Sequence, residues 1–376
     1  MKLLILGASS IQLPIIIRAK ELNHFTIVAD YDPDAIGFGY ADEKLLISTN
    51  DIPSLLIAAE EYQIDGVLTT SDYPVRSVAH ICEKLGLTGP KIGSAHLCTN
   101  KFLLRQHLSN YGFNVPDYRI IKSKESLKSI NYYPVIIKPI DSSGSRGVQK
   151  ANNYEELLIS FDSSIHYSKS GELIVEEFIE GPEYSVETLT QKEKTTIVAI
   201  TEKTVAGDSA KYFVEERHVI QANLSNEQTC EIIKLVTKVI ETINLGDCPT
   251  HTELKITKNG IYIIEIGARL GGDYITSDLV PLATGVDMLE CTINLALNKK
   301  INVKSTLNKY SGIQFITNEN YNRVIAFLQK GNPIVIKKII DPYKNVPLTN
   351  SFDRLGYFIV QAENREQLLK TLNCKN

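Results

Sequence analysis

This chain of 376 residues contains no long apolar run, no basic block, no repeat and no C-x-x-C pair. Each absence removes a class of protein. The N-terminus, MKLLILGASS, carries only a short apolar run that ends in a glycine turn, too short for a secretory core or a bilayer span. The 40 basic residues are balanced by 44 acids and spread along the chain, so no surface is marked for nucleic acid. The six cysteines, at 82, 98, 230, 248, 291 and 374, neither take metal-ligand spacing nor cluster with histidine, and read as reduced, mostly buried thiols. With 43% apolar and 22% charged residues the composition is ordinary globular, and the length allows two or three domains with full cores. The expectation is a compact cytoplasmic protein without a membrane or nucleic-acid partner.

The first ninety-odd residues alternate strand and helix. Strands are expected at 2–7, 25–30, 44–48 and 66–70, with helices over 11–22, 53–62 and 74–85. This rhythm predicts a small parallel sheet with helices on both faces. The turn after the first strand, GASS at 7–10, lacks the second and third glycines of a dinucleotide fingerprint. Asp30, at the end of the second strand, reads as a cap or loop carboxylate rather than a ribose ligand. The domain is therefore expected to be Rossmann-like without holding a dinucleotide, while Ser9 and the TTSD loop at 69–72 line a cleft.

From about residue 97 the pattern changes. A helix starting at Thr99 or Asn100 stops at Gly112, and a strand PVIIKP (134–139) leads into a glycine-serine loop. A helix near 153–161, a strand pair over 173–189, strands near 195–203 and 212–220 and a helix from Asn226 to Ile243 follow. One helix is expected through SDLVPLATGVDMLECTINLAL, and the last seventy residues read as a small α+β cap with strands near 312–316, 334–338 and 356–361 and a helix at 321–329.

Three stretches carry chemistry. In IIKPIDSSGSRGV, Lys138 ends a buried strand and is followed by Ser142, Ser143, Gly144, Ser145 and Gly147. Small residues let backbone N–H groups approach phosphate oxygens, although the spacing is not that of a P-loop. In LIVEEFIEGPEYSVETL, strand alternation places at least one of Glu176 and Glu177 on an apolar face, and an acid there needs a partner. In HTELKITKNGIYIIEIGARLGGD, two apolar runs flank a KNG turn and each holds an acid, Glu253 and Glu265. A three-residue loop of Lys258, Asn259 and Gly260 would set Thr257 opposite Ile261 and the two acids opposite each other, a repulsion that a bound divalent cation would reverse. A two-residue Asn-Gly turn would send the acids to opposite faces. Turn chemistry alone leaves both open.

The ordered set of a helix-start lysine, a strand lysine before a Gly/Ser loop, E-E-x-I-x-G-x-E, an acid before a hairpin turn and E-x-x-x-R after it resembles the ATP-grasp superfamily over nearly the whole chain. The pattern H-T-E…E-x-G-A-R-L-G-G-D looks closer to the amino-acid ligases than to the carboxylases of the biotin-carboxylase-like branch, and no M-K-M biotin-carrier motif is present. The resemblance implies an α/β and α+β multidomain fold. A Rossmann-like domain would span 1–96, an ATP-grasp domain of two α+β subdomains sandwiching ATP 97–303, with a lid subdomain at about 130–190, and a C-terminal α+β cap 304–376.

It also implies roles. Lys101 and Lys138 would contact ATP phosphates, with Ser142, Ser143, Gly144, Ser145 and Gly147 closing over them. Glu176 and the backbone through Glu177, Phe178 and Ile179 would hold adenine, and Glu183 the ribose. Glu253 and Glu265 would bind Mg²⁺, or Mn²⁺ in its place, and Arg269 would stabilise an oxyanion, making Arg269 and Lys138 the catalytic pair. Lys203, His218, Gly271, Gly272 and Asp273 would stand at the substrate end. Many relatives carry an asparagine two residues after the second metal glutamate, and here that position is Gly267. The implied activity is ATP-dependent joining of a small carboxylic acid to an amine through an acyl phosphate, by a protein whose relatives are often homodimers. A bicarbonate-using carboxylating or carbamoyl-phosphate-type enzyme and a non-catalytic nucleotide-binding regulator are the alternatives.

Overall fold

The structure, a computed structural model, describes residues 1–205, 213–345 and 347–375. The N-terminal segment runs β1 (Lys2–Leu6), α1 (Leu13–Glu21), β2 (Phe25–Asp30), β3 (Glu43–Leu46), α2 (Ile52–Tyr62), β4 (Gly66–Leu68) and α3 (Val75–Leu85). Its strands form a parallel sheet in the order β3-β2-β1-β4, as the βαβ rhythm predicts. β1 is buried from Leu3 to Leu6 because helices cover both faces, so its sequence is a continuous apolar run rather than an alternation. Asp30 closes the turn after β1: its Oδ2 accepts from Ala8 N at 2.7 Å and its Oδ1 from Asp32 N at 3.0 Å, a structural role.

Two short helices follow, α4 (Ile92–Cys98), which sequence periodicity missed, and α5 (Lys101–Asn110), which Asn100 caps by accepting from Leu103 N. The next elements are β5 (Tyr118–Ile121), β6 (Val135–Pro139), β7 (Gln149–Ala151), α6 (Tyr154–Ser164) and β8 (Leu173–Glu177). They build an antiparallel sheet ordered β5-β8-β6-β7 with α6 packed on it. Then come β9 (Glu183–Gln191), β10 (Lys194–Val205), β11 (Glu215–Ile220), α7 (Asn226–Ile243), β12 (Pro249–Thr257) and β13 (Gly260–Gly267). Of the strand expected near 212–220, residue 212 lies outside the described residues.

The helix expected through 277–297 is broken. A wide π turn (Ile275–Leu279) runs into α8 (Val280–Thr284), which stops at left-handed Gly285, and α9 (Met288–Ala296) restarts with Asp287 as its cap. The chain ends in β14 (Tyr310–Phe315), α10 (Tyr321–Gln329), β15 (Val335–Ile340), β16 (Gly356–Ala362) and α11 (Arg365–Leu372). β14 hydrogen-bonds β11, so the last strands extend one eight-stranded sheet, β13-β12-β9-β10-β11-β14-β16-β15. The segment expected as a separate cap is thus continuous with the central sheet. No single helix among the described residues is long and apolar enough to cross a membrane. Cys82, Cys98, Cys248 and Cys291 are buried free thiols, while Cys230 is exposed.

Candidate active site

A cavity of about 690 Å³ opens between the three sheets. Its wall includes Lys101, Lys138, Ser142, Ser143, Gly144, Ser145, Glu176, Glu177, Phe178, Ile179, Glu183, Glu253, Glu265 and Arg269. The residues expected at the substrate end, Lys203, His218, Gly271, Gly272 and Asp273, line it too. Gly147 does not: its α-carbon, at φ +73°, backs onto Pro139 and Tyr167. Ser9 also misses the cavity and donates to Gln12 Oε1 at 2.6 Å, whereas Thr70, Ser71 and Asp72 of the expected loop reach it.

The two hairpin acids face each other, Glu253 pairing with Glu265, by a route neither turn anticipated. Thr257 pairs with Gly260, which by itself would put Glu253 opposite Ile264. A bulge beyond the Leu254–Ile263 pair absorbs Ile264 and restores the opposition. Arg105, fully buried on α5, donates from Nη2 to the Ile264 carbonyl and so fixes the bulge.

The same arginine settles which acid of β8 needed a partner. Glu176 is 2% exposed and lies between Arg105 Nε at 2.8 Å and Lys138 Nζ at 2.7 Å, while Glu177 is exposed. Burial works against the Glu176 charge, but the two cations hold its pKa below the usual carboxylate value. Burial also lowers the pKa of Lys138, with Glu176 opposing the shift. The expectation that Glu176 holds adenine is corrected for its side chain, which is fully engaged. In the segment beyond it, Lys255 Nζ donates to Ile179 O at 3.1 Å, and Lys150 Nζ lies 4.1 Å from the centre of the Phe178 ring.

At the far end, Lys203 Nζ sits among Glu253 Oε1 at 2.5 Å, Glu183 Oε1 at 3.0 Å and Glu215 Oε1 at 3.5 Å. Burial disfavours its charge, yet the three carboxylates raise its pKa well above the ordinary value. Glu253 is drawn further by His251, whose Nε2 is 3.3 Å from Oε1 and whose Nδ1 is 2.6 Å from Glu187 Oε1. Burial opposes the imidazolium, but Glu187 and Glu253 push its pKa up to about 9. On β11, beside the strand of Lys203, His218, 1% exposed, places Nε2 at 3.5 Å from Asp273 Oδ2. Arg354, from the C-terminal segment, reaches Asp273 Oδ2 at 2.9 Å and Glu215 Oε2 at 3.0 Å. Burial opposes ionisation of Asp273, and Arg354 and His218 overcome it, holding its pKa below the usual range.

Sequence reasoning missed Arg105, Glu187, Glu215, His251 and Arg354. For His251 the signal was present: in H-T-E it shares a strand face with Glu253. Arg354 carried none, because it arrives from a different part of the chain.

Gly271 is required by this network. A β-carbon there would lie 2.7 Å from Glu187 Oε2 and 2.8 Å from His251 Nδ1, and the two side chains are buried and bonded to each other. Gly271→Ala is expected to lower stability by about 1–3 kcal/mol, seen as a lower melting temperature.

Residues 131–278 match the family described as ATP-grasp domain. An uncharacterized protein of Sinorhizobium fredii is 30% identical over 297 residues, covering 76% of this chain and 61% of the relative. An alanine–anticapsin ligase of Bacillus subtilis is 25% identical over 305 residues, covering 73% and 63%. Among solved structures, an L-amino acid ligase from Bacillus licheniformis superposes with a TM-score of 0.81 at 20% identity, covering 99% of this chain and 96% of that one. Fold and matched domain together define the class, a nucleotide-site architecture of two α+β halves around one cleft. Residues 131–278 are thus an ATP-grasp domain, and the chain as a whole shares the fold of the solved ligase. It spans about three fifths of the length of the first curated relatives it matches.

Proposed function

We propose that this chain is an ATP-dependent carboxylate–amine ligase that joins a small organic acid to an amine through an acyl phosphate, releasing ADP and phosphate. The observation behind this reading is that the opposed acids Glu253 and Glu265, the cations Lys101 and Lys138, and Arg269 line one cavity. A carboxylate is a poor acyl donor, and its phosphorylation needs positioning and charge neutralisation more than a protein nucleophile.

Lys101 donates to Ser142 O at 2.7 Å, and with Lys138 it would place positive charge beside the Ser142–Ser145 loop, where the phosphates of ATP would lie. Glu253 and Glu265 fit a hard divalent cation: each is an oxygen donor, each already faces an ammonium group, Lys203 and Lys101, and both hydrogen bonds to Glu253 fall on Oε1. Among the described residues no group of three or more His, Cys, Asp or Glu is arranged around a metal position, so phosphate oxygens and water would complete the shell. Bound Mg²⁺ would supply charge neutralisation at the triphosphate. Arg269 would hold the oxyanion of the acyl group. Asp273, Glu215 and His218 would face the part of the substrate that does not react.

The test is phosphate release from ATP and Mg²⁺ with paired pools of carboxylic acids and amines, followed by mass spectrometry of the product. Release that requires both an acid and an amine is expected. Release with bicarbonate alone would replace this reading with a carboxylating one.

A further inference from the structure

Arg269 does not stand free in the cavity. Its Nε donates to Asp72 Oδ1 at 2.8 Å and its Nη2 to Asp72 Oδ2 at 2.9 Å, while Nη1 donates to Leu270 O at 2.9 Å. A guanidinium has five N–H groups in a rigid plane. These three contacts use the Nε–H, one N–H of Nη2 and one N–H of Nη1. One N–H is left over on each Nη, and the two can serve as a fork for two oxygens of one carboxylate or acyl-phosphate group.

Asp72 comes from the other end of the chain, in the loop between β4 and α3, and that loop is itself pinned. Thr69 Oγ1 donates to Leu6 O at 2.9 Å and accepts from Ser71 N at 3.1 Å. The next residue, Tyr73, accepts at its hydroxyl from Arg146 Nη2 at 2.5 Å, in the loop after β6. Gly267 leaves room for the pair: a β-carbon there would lie 3.3 Å from Asp72 Oδ1 and 3.3 Å from Arg269 Cζ.

From this arrangement we infer that Asp72 is a positioning residue, the group through which the N-terminal sheet sets the orientation of the oxyanion-binding fork of Arg269. The inference rests on the role given to Arg269 in the proposed ligase. It makes a prediction opposite in sign to that of electrostatics alone. Neutralising Asp72 makes the surroundings of Arg269 more positive, which would favour an oxyanion. If orientation governs, the same change slows the reaction.

The experiment compares wild type with Asp72→Asn, Asp72→Glu, Arg269→Lys and the double variant D72N/R269K. The readout is phosphate release from ATP and Mg²⁺ with an equimolar mixture of the twenty common L-amino acids. Melting temperature and binding of a fluorescent ADP analogue are measured on each. D72N is expected to lose about tenfold in kcat, with KM for ATP and ADP affinity unchanged. D72E keeps the charge but displaces the fork, and is expected to be slow as well. The double variant is expected to be no slower than R269K, because a fork that is gone cannot be misplaced. D72N as fast as wild type, D72E at full rate, or losses that multiply in the double variant would overturn the positioning role. Full activity in R269K would instead remove the role of the arginine, and with it that part of the ligase reading. Should the wild type release no phosphate with this mixture, crystal structures of wild type and D72N with MgADP decide: a turned guanidinium supports the inference, and an unmoved one overturns it.

Discussion

Glu265→Ala is expected to lower ATP-dependent phosphate release by about a hundredfold or more while leaving the protein folded. The two halves of that expectation have separate physical causes. Glu265 stands directly across from Glu253, and like charges opposed on neighbouring strands repel. It pairs with Lys101, at 3.3 Å, and Lys101 retains its bond to the Ser142 carbonyl. Removing this acid therefore relieves one repulsion and loses one partly exposed contact, and a melting temperature within a few degrees of wild type follows. Activity has no such compensation. The acid is half of the oxygen pair that would hold Mg²⁺ at the triphosphate, and Glu253, drawn onto Lys203 and His251, cannot supply both halves. Phosphate release and a melting curve on the same preparation check both halves at once. Unchanged turnover would remove the metal role from this hairpin.

Much of the architecture was legible in the sequence because it rests on local period. The parallel N-terminal sheet follows from continuous apolar runs separated by helical stretches, and strand parity alone marked one of Glu176 and Glu177 as an acid on an apolar face. What could not be read depends on where distant pieces meet. The opposition of Glu253 and Glu265 was anticipated from a three-residue loop, yet it is produced by a bulge at Ile264 that a buried arginine from another element holds in place. Nothing in the spacing of the hairpin encodes Arg105. The helix expected through 277–297 breaks because Gly285 takes a left-handed conformation and Asp287 then caps a new helix, signals that an unbroken apolar period hides. The site shows the same division. Residues brought by family pattern line the cavity, Gly147 excepted, whereas Glu215 and Arg354 enter through tertiary contacts, and each engages a charged partner already there.

Glu176→Gln is expected to be the most destabilising single change in the site, by about 3–5 kcal/mol, because it leaves two buried cations without their counter-ion. Arg105 is fully buried, and Lys138 is only 5% exposed. The loss is expected to appear as a melting temperature lower by roughly 5–15 °C. A second consequence concerns pH. In the wild type, burial already lowers the pKa of Lys138 and Glu176 opposes that shift, while Arg105 and Lys101 add to it. Without the Glu176 charge the lysine pKa falls further. The protonated form, which would bind phosphate, is then present at low pH and lost as pH rises. Residual phosphate release in Glu176→Gln should therefore decline at a lower pH than in wild type, and an unshifted profile would show that Lys138 does not depend on this carboxylate. Replacing Arg105, Lys138 and Glu176 together by methionine separates stability from function. Buried ion groups exchanged for packed apolar side chains often cost nothing or stabilise, so the triple variant should regain most of the melting temperature and none of the turnover. Recovery of that kind would mean that the three charges are kept for the lysine they hold at the cavity wall and for the bulge that Arg105 ties to the same site, with the stability of the fold resting on its apolar core.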